Sequence, residues 1–422
     1  MATSNQNERA EGTRRRRGEP CVYAGVDTHT DTHTVAVLDA AGRTLVTTTY
    51  PATSAGYRCA VKDLDKFGGP DQVKVGVEGT NSYGAGLTRF LQTTGFTVFE
   101  VLRPTRQVRR MDGKSDPIDA IEAARTLISG RGISIPKTGT GPAESLRYLI
   151  AARDKYVSVM TALSNSVLSL LVTAPEGIRQ KYSQATTTKT LACLAACRPG
   201  KLDSTSADFH VLTALKSMAR THKDINEAAT VLEKHARIIL EEHYPVLLTV
   251  YGVGTMTAAA LAITAGDNPQ RIRSEAAFAK LCGACPIPAS SGKTNRHRLN
   301  RGGDRRGNKA LHRIALVRMS KHQTTRDYVD RQTGRGKTKK EILRQIKRAL
   351  CREIYRALTR PAHDATPATG AVLRTTRTAQ GISQTQAAKA LNTWPARISD
   401  IETDRRPLPT LRSQYEQWLQ AA

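Results

Sequence analysis

The stretch GVDTHTDTHTVAV, residues 25–37, sets two aspartates and two histidines between two apolar runs. Carboxylates there would suit a hard divalent cation such as Mg²⁺, and imidazoles a transition metal. Asp27 is the stronger candidate because it ends the first run, CVYAGVD. The alternation of that run puts Val22, Ala24 and Val26 on one face of a strand, and Tyr23, Gly25 and Asp27 on the other. Asp31 and the histidines fall in the turn and the start of the next run. Three further acids stand at comparable places. Glu78 ends the strand-like DQVKVGVEG, and Asp116 and Asp119 open the helix-like SDPIDAIEAARTLISG. There Asp116 reads as the N-cap, Pro117 as the first helical residue, and Asp119 as a neighbour one turn on. Each acid alone has an ordinary explanation, since Asp116 and Asp119 could merely complement the helix dipole. Together, Asp27, Glu78, Asp116 and Asp119 predict a site for Mg²⁺ or Mn²⁺. Two such ions about 3.5–4 Å apart would clamp the attacking and leaving oxygens of a phosphodiester.

A second constellation is CGACPIPASSGKTNRHRLNRGGDRRGNKALHRIALVRM. Ser290, Ser291 and Gly292 precede Lys293, Arg296, Arg298, Arg301, Arg305, Arg306 and Lys309. A serine in such a loop can attack phosphorus, with guanidinium groups stabilising the developing charge. Spacing alone equally fits a basic loop that holds phosphates and carries incidental serines. Cys282 and Cys285 form a lone CxxC without the second ligand pair that a structural zinc site wants.

The elements that must position these residues read as an α/β segment followed by helices. Residues 21–135 give a three-strand meander and then alternating helices and strands, the order of a RuvC-like, ribonuclease-H-like domain. Residues 140–250 carry apolar positions at spacings of three and four, as in a long helical or coiled-coil hairpin; an ordinary buried helix pair fits as well. Residues 251–360 form a helical domain opened by Gly252 and Gly254 and interrupted by the serine loop. RPAHDATPATG places a linker over 361–372, and 373–422 form a small separate unit.

With 422 residues the chain is too long for one ordinary core. Lys and Arg number 64 against 37 Asp and Glu, a net charge of +27 that predicts a polyanionic partner, foremost nucleic acid. Residues 1–20 are polar, with an arginine run at 14–17, and read as a disordered basic arm or a solubilising tail rather than a signal peptide. No unbroken apolar run of about 18 residues predicts a membrane span. Seven scattered cysteines fit reduced cytosolic thiols.

GVDTH, VGVEGT and GKSDPIDAIEAAR, followed by GACPIPASSGKTNRHRLNRGGDRRGNKALHRIAL and HQTTRDYVDRQTGRGKTKKEILRQIKRALCREIY, resemble the DEDD insertion-sequence transposases of the IS110 family. That family is similar to bridge-RNA-guided serine recombinases. The resemblance implies four acidic metal ligands in a RuvC-like domain, here Asp27, Glu78, Asp116 and Asp119. It also implies a nucleophilic serine from a helical transposase domain, here Ser291, with Ser290 one register away. Further implied are a composite site, a homo-oligomer (dimer or tetramer) with sites built across subunits, a structured guide RNA that pairs with donor and target DNA, and a bacterial cytoplasmic location at the nucleoid.

The segment GISQTQAAKALNTWPARISDIETDRRPL reads as a helix-turn-helix of the phage-repressor type. Ser383 would cap its first helix, with Ala387 and Leu391 inward. Trp394 and Pro395 would open a recognition helix with Ile398 and Ile401 buried, leaving Gln384, Arg397 and Ser399 to face DNA. A protein-contacting helical cap is the alternative. Three functions are compatible with the chain: a transposase working through a serine–phosphate intermediate, a RuvC-like nuclease using only the four acids, and a non-catalytic DNA-binding regulator. The four-acid arrangement argues against the last.

Overall fold

The computed structural model describes residues 22–101, 115–289, 297–298, 300–359, 370–406 and 408–421. They fall into two compact units, 1–139 and 140–422.

The first unit is built on a six-stranded sheet of order β3-β2-β1-β4-β5-β6. Its strands are β1 (Val22–Thr28), β2 (Thr32–Asp39), β3 (Thr44–Pro51), β4 (Val73–Glu78), β5 (Thr97–Val101) and β6 (Ile133–Ser134). The meander β1-β2-β3 is antiparallel, β4 and β5 continue parallel to β1, and β6 closes the far edge antiparallel. This order is consistent with the expected ribonuclease-H-like sheet.

The two faces are packed differently. Val22, Ala24 and Val26 look toward helices α1 (Ser54–Asp65) and α2 (Ala85–Thr93) and join Leu64, Leu87 and Leu91 in one core. On the other face Ala36 and Leu38 meet Ala120 and Ala124 of helix α3 (Asp116–Ser129). That packing needs a glycine at position 25. A Cβ there would collide with the carbonyl oxygen of Ala120 and the amide nitrogen of Ala124. The α3 backbone therefore lies directly against β1. The helix begins one residue earlier than its proline and acids suggest. Ser115, in extended conformation, is the N-cap, and its carbonyl takes the first helical bond from the Asp119 amide. Asp116 is thus the first helical residue rather than the cap.

The second unit is helical. The long helices α4 (Pro142–Val172) and α5 (Ala207–His243) run antiparallel, because opposite ends of each share a core. Leu146 and Ile150 pack with Ala236 and Leu240, while Val167 and Leu171 pack with Leu212, Leu215 and Ala219. α4 is long and apolar enough on average to cross a membrane. Ser158, Thr161, Ser164, Asn165, Ser166 and Ser169 punctuate it, and both of its ends contribute to protein cores. The larger core also takes α6 (Thr255–Ala265), α7 (Arg305–Lys321) and α9 (Lys339–Thr359), with α8 (Gln323–Gly334) beside them.

Residues 370–421 fold around a core of their own, made by α10 (Gly370–Ala379), α11 (Gln384–Ala390), α12 (Pro395–Glu402) and α13 (Pro409–Ala421). At its centre Arg377 grips Glu402 with bonds of 2.7 and 3.1 Å, and the Tyr415 hydroxyl donates to the same carboxylate at 2.6 Å. Burial pushes the Glu402 pKa up, but the bonds from Arg377, Tyr415 and Gln384 outweigh it and leave the carboxyl below its ordinary value. Its stabilisation is therefore fully present above the ordinary carboxylate pKa and is lost as pH falls through the depressed one. Removing either charged partner would leave the other stranded, at a cost of about 3–5 kcal/mol.

Replacing Gly25 with alanine tests the close approach. Overpacking against backbone, which cannot rotate away, should cost about 1–3 kcal/mol and lift α3 from the sheet. Amide hydrogen exchange in α3 should accelerate in Gly25→Ala. Exchange at the wild-type rate would mean that the sheet absorbs the methyl group without moving the helix.

Candidate metal centre and basic surfaces

Asp27 is buried at the end of β1, and Glu78 is buried at the end of the parallel neighbour β4. α3 brings Asp119, also buried, and the half-exposed Asp116. His29 adds what the acids alone do not reveal. Its Nε2 lies 3.2 Å from Asp27 Oδ2 and 3.2 Å from Asp116 Oδ1. His29 lies just past the end of β1, two residues on from Asp27, where strand alternation does not reach. Among the described residues, Asp27 Oδ2 nevertheless has no hydrogen-bond partner although it is buried. The two observations agree if the imidazole is a close charge neighbour with poor hydrogen-bond alignment.

Burial raises the Asp27 pKa above the usual carboxylate range. His29 opposes that shift, and the charges of Glu78, Asp119 and Asp116 reinforce it. The other three predicted acids therefore each act electrostatically on Asp27. Such a cluster, with a buried oxygen short of a partner, fits a divalent cation bound through oxygen. Among the described residues, Asp27, His29 and Asp116 are the group whose ligand atoms converge within 4.8 Å. Cys282 and Cys285 gather no comparable set there; Cys285 Sγ instead accepts a bond from Asn300 Nδ2 at 3.2 Å.

The rest of the opening stretch divides by strand face. His33 is buried on the opposite side of the sheet, stacked on Tyr57 of α1 with ring centroids 5.7 Å apart. Burial pushes its pKa down. Asp31 is exposed in the turn.

Of the serine loop, Ser290, Ser291, Lys293 and Arg296 lie outside the described residues. Its downstream end is anchored. Asp304 caps α7, accepting from the Gly307 amide at 2.7 Å and the Thr264 hydroxyl at 3.1 Å. Asn308 donates to the Cys282 carbonyl at 2.7 Å and accepts from Lys347 at 2.6 Å. Against this base, Arg301, Arg305, Lys309 and His312 line an open cleft of about 460 Å³. Arg298 is exposed and Arg306 half-buried outside the cleft lining.

In the C-terminal helices, Ser383 caps α11 in a reciprocal capping box with Gln386. Ala387, Ile398 and Ile401 are buried, and Leu391 packs against them. Asn392 adopts a left-handed conformation in the turn that follows α11. Trp394 opens α12 and is 79% exposed. Arg397 is half-exposed and 3.8 Å from Asp400, and Ser399 is half-buried. Gln384 differs from expectation. Its amide donates to Glu402 at 2.7 Å, so it braces α12 rather than standing free to read bases.

A transposase family model, the DEDD type of IS110, matches residues 24–174, and a model described as the transposase of the IS116/IS110/IS902 family matches residues 244–330. Together they cover more than half of the 422 residues. A relative in Streptomyces coelicolor, described as an uncharacterized 43.6 kDa protein of insertion element IS110, is 34% identical over 135 residues. That match covers 31% of this chain and 33% of the relative, so the chain spans about a third of the curated protein's length in the match.

Substituting Asp27 separates ligand from scaffold. Mn²⁺ at a hundred times its Kd should stabilise the wild-type chain by about 2.7 kcal/mol. Asp27→Asn should lose this stabilisation while unfolding no more easily without metal, because a buried charge has been removed. His29→Ala should keep it, since oxygen ligands suffice. Wild-type Mn²⁺ stabilisation in a folded Asp27→Asn protein, read by calorimetry, would remove Asp27 from the site.

Proposed function

The chain belongs to the IS110 family of transposases, and from that premise we propose that it is a DNA strand transferase acting through a serine phosphodiester intermediate. The observation that carries this reading is the acid cluster around buried Asp27, whose carboxylate is coupled to Glu78, Asp119 and Asp116. These four residues would hold Mg²⁺ or Mn²⁺, and half-exposed His29 has room to turn outward. A bound divalent ion would polarise the phosphodiester and offset charge on the reacting oxygens.

The chain's own groups supply the rest. Ser291 Oγ attacks phosphorus, a P–O bond to the deoxyribose breaks, and the serine proton ends on the released hydroxyl. Reversal by another strand's hydroxyl restores a phosphodiester and the serine. The bond energy is kept throughout, so rejoining needs no nucleotide cofactor. The cations of the cleft, Arg301, Arg305 and Lys309, would hold flanking phosphates. A structured guide RNA as a specificity partner and a homo-oligomer, dimer or tetramer, as the working form are what the family resemblance implies.

A nicked or suicide duplex should trap a covalent protein–DNA adduct at Ser291, mapped by peptide mass. Ser291→Ala should abolish it while DNA binding persists, and Ser290→Ala should keep at least part of it. Strand exchange by a protein lacking both serines would replace the serine mechanism with hydrolysis by the acid site alone.

The helices α11 and α12 support a second proposal: a DNA-reading helix-turn-helix, with Arg397 on its outer side. Arg397→Ala should weaken binding to a specific duplex by about 1–3 kcal/mol while sparing random DNA. Equal losses on both would make Arg397 a phosphate or protein contact.

A further inference from the structure

Beyond the cleft of Arg301, Arg305 and Lys309, the helical unit carries a second concentration of charge. The segment RQTGRGKTKKEILRQIKR, residues 331–348, holds eight basic residues against one acid, Glu341. It spans the end of α8, a turn, and the start of α9.

The turn is built rather than loose. The Lys337 and Arg335 amides both donate to the Gln332 carbonyl, and Gly336 adopts a left-handed conformation. The Gln332 side chain is buried, and its Oε1 accepts from Lys337 Nζ at 2.6 Å. Glu341 is turned back on the helix start, accepting from the Thr338 amide at 2.9 Å and hydroxyl at 2.8 Å. The one acid of the segment thus caps α9, and Lys337 is tied to the turn's anchor.

Arg331 is exposed but donates to the Asp327 carbonyl at 3.3 Å, while half-buried Lys347 and Arg348 engage Asn308 and Glu275; four further cations lie on the outside. Arg335, Lys339, Lys340 and Arg344 are exposed, and among the described residues no ion pair engages them. Their placement works against the helix that carries them. Lys339 and Lys340 occupy the first turn of α9, where the dipole disfavours positive charge. Lys340 and Arg344 are like charges four apart on one helical face, which also destabilises, and only Glu341, three residues before Arg344, offsets this. The opposite face of α9 is fully committed to the core through Ile342, Ile346 and Leu350. An arrangement that opposes its own helix, on a turn locked by Gln332 and Lys337, calls for an external polyanion.

We infer that the α8–α9 turn is a docking surface for the phosphodiester backbone of duplex DNA, in addition to the cleft at residues 300–312. The choice of DNA rests on the transposase reading. The interaction is sequence-independent, because it is made by flexible cations rather than a rigid base-reading fork. It would hold flanking duplex beside the reacting strands.

The test uses the full chain and a random-sequence duplex, with affinity measured across a salt series. Wild type should show a steep dependence, since each neutralised phosphate releases counterion. Combining Arg335→Ala, Lys339→Ala, Lys340→Ala and Arg344→Ala should make the log–log slope shallower by about 0.9 for each phosphate that is no longer neutralised. Affinity at physiological salt should fall at least tenfold. The same variant should melt no lower than wild type, because the helix loses unfavourable charges; a merely structural patch would give a lower melting temperature and an unchanged slope. An unchanged slope in a folded variant overturns the inference, as does a loss confined to an RNA hairpin probe. A wild-type chain that fails to bind any duplex would instead remove the transposase reading on which the choice of DNA rests, and this inference with it.

Discussion

A missing side chain sets the geometry on which the acid cluster depends. Because residue 25 has no Cβ, the α3 backbone reaches β1 itself, with the small Ala120 and Ala124 facing it. The first turn of α3 then stands over the end of β1, and Asp116 reaches the same imidazole nitrogen that Asp27 does. The other side of the sheet shows the contrast. There Leu64, Leu87 and Leu91 fill the space under α1 and α2 and make the larger of the two cores. Large side chains on one face give stability, and small ones on the other let a helix come close enough for carboxylates to converge.

The ionisable groups of the molecule separate by how well they are satisfied. Glu402 is surrounded by donors from Arg377, Tyr415 and Gln384, so its network holds α10, α11, α12 and α13 together. A fully bonded buried charge rigidifies a core. Asp27 shows the reverse pattern: it is buried, has an oxygen without a hydrogen bond, and is surrounded mostly by like charge. Such an arrangement opposes folding unless something binds there, which fits the proposed metal site better than a structural brace. The sheet can carry that burden because β1 and β4 lie at its centre, buried on both faces.

Much of this was legible in the sequence because it rests on period and position. Strand alternation placed Asp27 and Glu78 at the ends of β1 and β4, and the turn chemistry of Ser383 marked the start of α11. What was not legible depends on partners distant in sequence. His29 belongs to the cluster only because α3 returns Asp116 to it, and Gln384 turns inward only because Glu402, 18 residues on, offers an acceptor. The shift of the α3 cap from Asp116 to Ser115 is a smaller case. Proline and two acids mark a helix start, but the residue whose carbonyl takes the first bond decides it.

The distribution of charge completes the physical picture. Residues 286–359 hold 21 basic side chains and five acidic ones, whereas the four clustered acids all lie before residue 120. Carboxylates repel the phosphodiester they would act on, so an acid site by itself attracts its substrate poorly. Cations adjacent in the chain would relieve that repulsion but would also pair with the acids and compete with a metal for them. The two sets lie in different folding units, in keeping with the proposed division between an acid site and phosphate-holding cations. The wrong-end lysines of α9 follow the same rule: α9 gives up dipole stabilisation so that Lys339 and Lys340 remain uncompensated. The proposed division of labour between acids and cations thus has a counterpart in where each set falls along the chain.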